Sequence, residues 1–178
     1  TNSRHNLTVY PNQIRGIVPF KLNQIWAADI TYIHIQHATF YLAILLDLFS
    51  RKVVGWALKK NIDSNLVICA LEMALSAIKF LGFSGLIHHS DQGVQYASTE
   101  CTNTLKKFWI KISRSKKTNP YDNAFDETFF KTLKAEGEYI NGCKDLADVY
   151  QNINGFIELV YNREKASFFS WLYSTLRI

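Results

Sequence analysis

Phe40-Tyr41-Leu42-Ala43-Ile44-Leu45-Leu46-Asp47-Leu48-Phe49 is an almost continuous apolar run whose one charged residue is Asp47. Successive side chains of a strand point to opposite faces of its sheet, so such a run suits a strand buried on both sides. On its N-terminal flank Ile25 to Ile35 is again rich in β-forming residues, with Asp29 on the same strand face as Ala27, Thr31 and Ile33. On its C-terminal flank Lys52 to Leu58 reads as a third strand. The connections around Gln36-His37-Ala38 and Ser50-Arg51 are short enough for antiparallel hairpins.

Farther along the chain the period changes. Leu66, Ala70, Leu71, Ala74, Leu75 and Ile78 recur at helical spacing, with Ser64 as the N-cap. Gly82 and Gly85 close that region, and Leu86-Ile87-His88-His89 is a short fourth strand that delivers Asp91. Ser98 to Trp109 is predicted as a helix, and Ile110 to Ser113 as a fifth strand. Asn123 to about Tyr139 is predicted as a helix with Asp122 near its N-cap. A last helix is predicted from Lys144 to about Glu164, burying Leu146, Val149, Tyr150, Ile153, Ile157, Val160 and Tyr161. Three antiparallel strands followed by alternating helix and strand argue for an α/β layered domain, a mixed five-stranded sheet flanked by helices. Residues 1–23 are polar, carry Pro11 and Pro19 and show no sustained period, so they read as a leader or linker.

The totals agree with one globular domain. A chain of 178 residues that is 48% hydrophobic and 14% aromatic is long and apolar enough to bury a core, which excludes a disordered segment. No apolar run approaches the ~20 residues of a membrane helix, and the polar start is no signal peptide. The formal net charge of +5 is compatible with a polyanionic partner. Cys69, Cys101 and Cys143 are far apart and odd in number, which suggests reduced cytosolic thiols and neither a zinc knuckle nor a disulfide framework. His34 and His37 lack companions at zinc spacing and read as strand or turn surface.

Three carboxylates fall where elements begin or end: Asp29 in Trp26-Ala27-Ala28-Asp29-Ile30-Thr31, Asp91 in His89-Ser90-Asp91-Gln92-Gly93, and Glu127 in Tyr121-Asp122-Asn123-Ala124-Phe125-Asp126-Glu127. Two Asp and one Glu that meet in space suit hard divalent cations such as Mg²⁺, which takes oxygen ligands and keeps positions for phosphate and water. The trio therefore points to metal-dependent chemistry on nucleic-acid phosphodiesters. Singly, Asp29 reads equally as a solvated sheet-edge acid and Asp91 as a turn former.

Asp122 and Asp126 compete with Glu127 for the third place. On a helix Glu127, Lys131 and Lys134 fall within about 60° of one another. Phe125, Phe129 and Leu133 take the opposite side. That stripe fits a metal site beside a phosphate backbone, or a plain surface Glu–Lys pair; the helix alone does not separate the two, and the Asp91 motif decides for the site. Lys106, Lys107, Lys111, Arg114, Lys116 and Lys117 precede this segment and suit backbone contact, which gives affinity and salt dependence without sequence choice. Solvation of a helix and a strand is the plainer account of several of them.

With these residues assembled, the chain resembles the catalytic core of bacterial insertion-sequence transposases, the group that shares an integrase core with retroviral integrases and has two aspartates and a glutamate as its signature. WAADITYI, YLAILLDLFSRKVVGW, HHSDQGVQY, NPYDNAFDETFFKTLKAE and Tyr161-Asn162 carry the resemblance, in order, from about Asn23 to Asn162. It implies a ribonuclease-H-like fold, an integrase-like core over 24–165, and metal-ligand and catalytic roles for Asp29, Asp91 and Glu127. It implies Mg²⁺, with Mn²⁺ as substitute and two ions in the site, one activating the attacking oxygen and one stabilising the leaving 3′-oxygen. Lys131 and Lys134 match positions that contact donor DNA ends. The activity implied is metal-dependent DNA cleavage and strand transfer by a homo-oligomer on transposon ends, in the bacterial cytoplasm at the nucleoid.

The chain also departs from the family. Thr118 stands where Gly is usual and Arg114 where Met is common. After Tyr161-Asn162 the usual pattern gives way to an apolar, divergent tail at 166–178, and the family's upstream helix-turn-helix is not among these residues. Two other readings stand beside the first: a ribonuclease-H-like nuclease that does not join strands, and a catalytically silent DNA-binding remnant of a decayed element.

Overall fold

The computed structural model describes residues 8–78, 84–115, 129–133 and 142–165. Glu127, Lys116, Lys117, Lys134, the start of the helix expected at Asn123 and the tail at 166–178 lie outside those residues. Among the described residues no helix is long and apolar enough to cross a membrane.

Strands β1 (Ile25–Ile35), β2 (Ala38–Asp47) and β3 (Val53–Lys59) form an antiparallel meander. Strand β4 (Ile87–Ser90) then pairs parallel to β1, and β5 (Lys111–Arg114) parallel to β4, giving the order β3-β2-β1-β4-β5. Parallel neighbours need crossover connections. Helix α1 (Ser64–Ala77) supplies the first, and the short α2 (Val94–Ala97) with α3 (Thr99–Lys107) the second.

The double burial read from β2 is what the sheet does with it. Leu42, Ile44 and Leu46 enter one core with Ala27, Ile33, Phe129, Leu133, Val149 and Ile153. Ala43 and Leu45 enter the other, with Trp26, Ala28 and the apolar stripe of α1. Helix α1 lies very close to the sheet: a Cβ on Gly55 would sit 2.3 Å from the Ala70 carbonyl oxygen, so β3 needs glycine there.

Local details differ from the sequence reading. Asp63, not Ser64, caps α1, because its backbone is extended (φ −127°, ψ −179°) and its Oδ1 accepts the Leu66 N–H at 3.0 Å. The helix expected from Ser98 to Trp109 starts anew at Ser98, whose Oγ accepts the Cys101 N–H, after the separate turn of α2. It ends before Trp109, which adopts a left-handed backbone with φ 57°.

Helix α4 (Leu146–Gly155) is capped by Asp145 and runs into a π-helical turn over Phe156–Tyr161. That i→i+5 turn brings Phe156, Ile157 and Tyr161 all into the core. Tyr150, expected to be buried, is 45% exposed and lies against Trp56 with ring centroids 4.8 Å apart. Asn162 ties this end to the sheet: its Oδ1 accepts the Val53 N–H at 2.9 Å and its Nδ2 donates to the Val53 carbonyl at 3.0 Å.

Within the stretch read as a leader, residues 11–14 run beside β5. The Arg114 N–H donates to the Pro11 carbonyl, Gln13 donates to Ser113 Oγ and to the Ile112 carbonyl, and Ile14 is buried. An edge strand presents unpaired backbone groups, and this segment covers part of them.

Candidate active site

Parallel pairing of β1 with β4 sets Ala27 opposite His89 and Ala28 opposite Ser90. Asp29 and Asp91 are the next residues along, Asp91 just past the end of β4, and the charge of Asp91 reaches Asp29. Strand alternation puts Asp29 on the sheet face of Ala27, whose core also holds Phe129 and Leu133.

Each carboxylate is fixed by a nearby amide. Asp29 Oδ1 accepts the Ile30 N–H at 2.7 Å, and Asp91 Oδ1 accepts the Gly93 N–H at 2.8 Å, an Asx-type turn that starts the loop towards α2. Burial pushes the Asp29 carboxyl up to about 6; the Ile30 N–H works against the rise and the charge of Asp91 adds to it. Two half-buried carboxylates facing each other repel when both are ionised, and a hard cation between them relieves both the repulsion and the desolvation. The donor set therefore fits a divalent metal. Among the described residues no group of three or more His, Cys, Asp or Glu could hold a metal ion, and Glu127, the third ligand expected from the sequence, lies outside them.

Of the basic residues singled out from the sequence, Lys131 is exposed on a helical stretch that buries Phe129 and Leu133, as the stripe argument requires. Arg114 is turned inward and is only 2% exposed. It pairs with Ser90 across β5 and β4, on the sheet face opposite Asp29. Its guanidinium donates to Ser90 Oγ and to the Tyr96 carbonyl, with the Tyr10 and Tyr96 rings each 5.9 Å away. An expectation built on charge alone took it for surface.

Two further features escaped the sequence reading. His89, two residues before Asp91, bonds through Nδ1 to Ser113 Oγ at 2.9 Å, and the same hydroxyl accepts the Gln13 N–H at 2.8 Å. His88, on the other face, is fully enclosed; burial first, then the charge of Arg114, holds its imidazole down to about 3. The His89–Ser113 bond and the enclosure of His88 both depend on residues distant in the sequence and leave no local signal. The cysteines are thiols, and burial pushes Cys101 up to about 11, which leaves it unsuited to act as a nucleophile.

Comparison with known proteins agrees with this geometry. Residues 21–120 match the model of the integrase core domain family. The transposase of insertion sequence element IS904 from Lactococcus lactis subsp. lactis (strain IL1403) is 41% identical, over 87% of this chain and 61% of the relative. An uncharacterized 31 kDa protein of insertion element IS600 from Shigella sonnei is 37% identical, over 93% of this chain and 60% of the relative. The chain thus spans about three fifths of the length of these curated relatives. The HTLV-2 integrase catalytic core domain in complex with magnesium superimposes with a TM-score of 0.58 at 22% identity, covering 78% of this chain and 88% of that one. A chain of the simian T-cell lymphotropic virus intasome gives a TM-score of 0.62 at 24% identity, covering 89% of this chain and 55% of that one. The fold is the ribonuclease-H-like architecture of the retroviral integrase cores.

Proposed function

The chain belongs to the integrase core domain family, and from that premise we propose that it is the catalytic core of an insertion-sequence transposase that cleaves DNA strands and transfers them to a target. The observation that carries the reading is that Asp29 and Asp91 directly follow the paired Ala28 and Ser90 of neighbouring parallel strands, close enough for the charge of Asp91 to act on Asp29.

Asp29, Asp91 and Glu127 hold the divalent cation, Mg²⁺ or in its place Mn²⁺, in a site for two ions. Phe129, two residues after Glu127 in the sequence, is buried in the core on the Asp29 face; what supports that third assignment is this nearness along the chain and the sequence motif around Glu127. When bound, such ions polarise the scissile phosphodiester and stabilise charge on the attacking and leaving oxygens. Asp29 is tied to the Ile30 amide and Asp91 to the Gly93 amide, which limits the freedom of both carboxylates. No side-chain nucleophile is required.

Lys131 and Lys134, with Lys116 and Lys117, supply backbone contacts to DNA. The reaction takes place on element ends, by a homo-oligomer, in the bacterial cytoplasm. The intasome and the dimeric catalytic core among the structural neighbours support assembly as the working form.

The test uses duplexes carrying the ends of the encoding element, with Mg²⁺ and the full-length protein. Cleavage at the element end followed by joining to a second duplex is the expected result. Cleavage without joining would make the protein a nuclease on the same fold. Binding without either, in a folded protein, would overturn the catalytic reading.

A further inference from the structure

Arg114 carries a positive charge into the interior and meets no carboxylate in its hydrogen bonds there. Its Nε has no hydrogen-bond partner among the described residues, while its two other nitrogens reach Ser90 Oγ and the Tyr96 carbonyl. The charge of Asp91 favours the guanidinium from nearby, yet burying it on neutral hydrogen-bond acceptors is costly, so what those acceptors hold in place matters. They are the two ends of the loop that carries Asp91. Ser90 Oγ, which accepts from Arg114, donates in turn to the Asp91 carbonyl at 2.9 Å. The Ser115 N–H holds the Ser90 carbonyl at 2.9 Å, and Tyr10 and Tyr96 enclose the guanidinium.

Resting on the metal-site reading above, we infer that Arg114 is a positioning residue for Asp91: its planar fork closes the Ser90–Tyr96 loop and so fixes where the Asp91 carboxylate stands beside Asp29. Arginine can do this because one rigid group donates in two directions at once. Lysine carries the same charge but has no such fork. Methionine fills the space and donates nothing.

Mn²⁺ binding to the DNA-free protein, followed by electron paramagnetic resonance of the unbound ion, tests this apart from activity. Arg114→Lys and Arg114→Met should each weaken Mn²⁺ binding by about tenfold or more, the range seen when an outer partner of a metal ligand is lost. Exchange of the Gly93 amide proton, which is bonded to Asp91 Oδ1, should speed up in the same variants without metal. A role in folding alone would lower the melting temperature and leave both readouts of the folded protein at wild-type values, which would overturn the inference. Retention of full affinity by Arg114→Lys alone would assign the effect to charge and overturn it as well. Should both variants fail to fold, Ser90→Ala removes one of the two anchors and must show the same loosening. Asp91→Asn separates the two readings: if it binds Mn²⁺ as wild type does, the metal site itself is wrong, whatever Arg114 does.

Discussion

Asp29 and Asp91 directly follow Ala28 and Ser90, which pair across two parallel strands, and burial of Asp29, with the charge of Asp91 adding to it, sets the pH response of the metal-free protein. The Asp29 carboxyl is raised to about 6 from 3.8, so the folded state binds the proton more tightly than the unfolded chain does. The stability this contributes is present below 3.8 and is lost as the pH rises through 6. Asp29→Asn, which imitates the protonated acid, should therefore stabilise the metal-free protein at pH 8 by about 2–3 kcal/mol and give no gain near pH 4. His88 works in the other direction: it is held down to about 3 from 6.5, so its contribution is present above 6.5 and is lost as the pH falls towards 3. The two oppose each other between about 4 and 6, so Asp29→Asn should fall in stability more steeply than wild type on acidification. Urea titrations at pH 8, 6 and 4.5 measure both effects; parallel pH profiles would refute the Asp29 assignment.

Asp91→Asn should abolish Mg²⁺-dependent cleavage and leave non-specific DNA binding near the wild-type value. It removes a charge from the proposed metal site, just past the end of β4, and keeps an oxygen to accept the Gly93 N–H. Gel-shift and cleavage assays on one preparation decide the matter. Equal cleavage rates for mutant and wild type would show that the carboxylate pair is not the site.

How much of this could be read from the chain follows from which interactions are local. Phe40 to Phe49 announced a strand buried on both faces, and Leu42 with Ala43 now occupy the two separate cores. The helical stripe of α1 held at every position, yet its cap moved by one residue, because Asp63 and Ser64 are both good cap formers and only the backbone angle at Asp63 chooses. Arg114 was misplaced because its register with Ser90 joins segments 24 residues apart. The Tyr161-Asn162 motif has a reason that no local pattern shows: Asn162 holds both backbone groups of Val53, 109 residues away.

Gly55→Ala should destabilise the fold. The added Cβ would meet the Ala70 carbonyl oxygen at 2.3 Å and the Ala74 nitrogen at 2.9 Å, backbone atoms that no rotamer change can move aside. Displacing α1 from β3 costs about 1–3 kcal/mol, as overpacking of a tight core generally does. Denaturant midpoints report the loss, and an unchanged midpoint would mean that α1 lies farther from the sheet.

Lys131→Ala tests the DNA-facing role proposed for the stripe below Glu127. Lys131 is exposed, whereas Phe129 and Leu133 on the same helical stretch are buried, so folding should be little affected. Loss of one phosphate contact should lower the slope of log affinity against log salt by roughly 0.9 on duplex DNA, at every sequence tried. If the lysine serves only surface acids, the slope will stay where it was.

Trp109 supplies the last test, because its backbone and its side chain make opposite demands. Its φ of 57° lies in the left-handed region, where a side chain with a Cβ costs roughly 1–2 kcal/mol over glycine. The ring offers little in return, being 87% exposed. The turn itself is made by the backbone, through the Trp109 N–H to the Lys106 carbonyl at 2.9 Å, and glycine would keep that bond. Trp109→Gly should then raise stability, by less than the full strain because glycine also frees the unfolded chain; a net gain of about 0.5–1 kcal/mol remains. For a domain of this size that is about 1–4 °C in melting temperature, within reach of calorimetry. A fall in melting temperature would show that the indole holds the α3–β5 turn by contacts that outweigh the strain of its backbone.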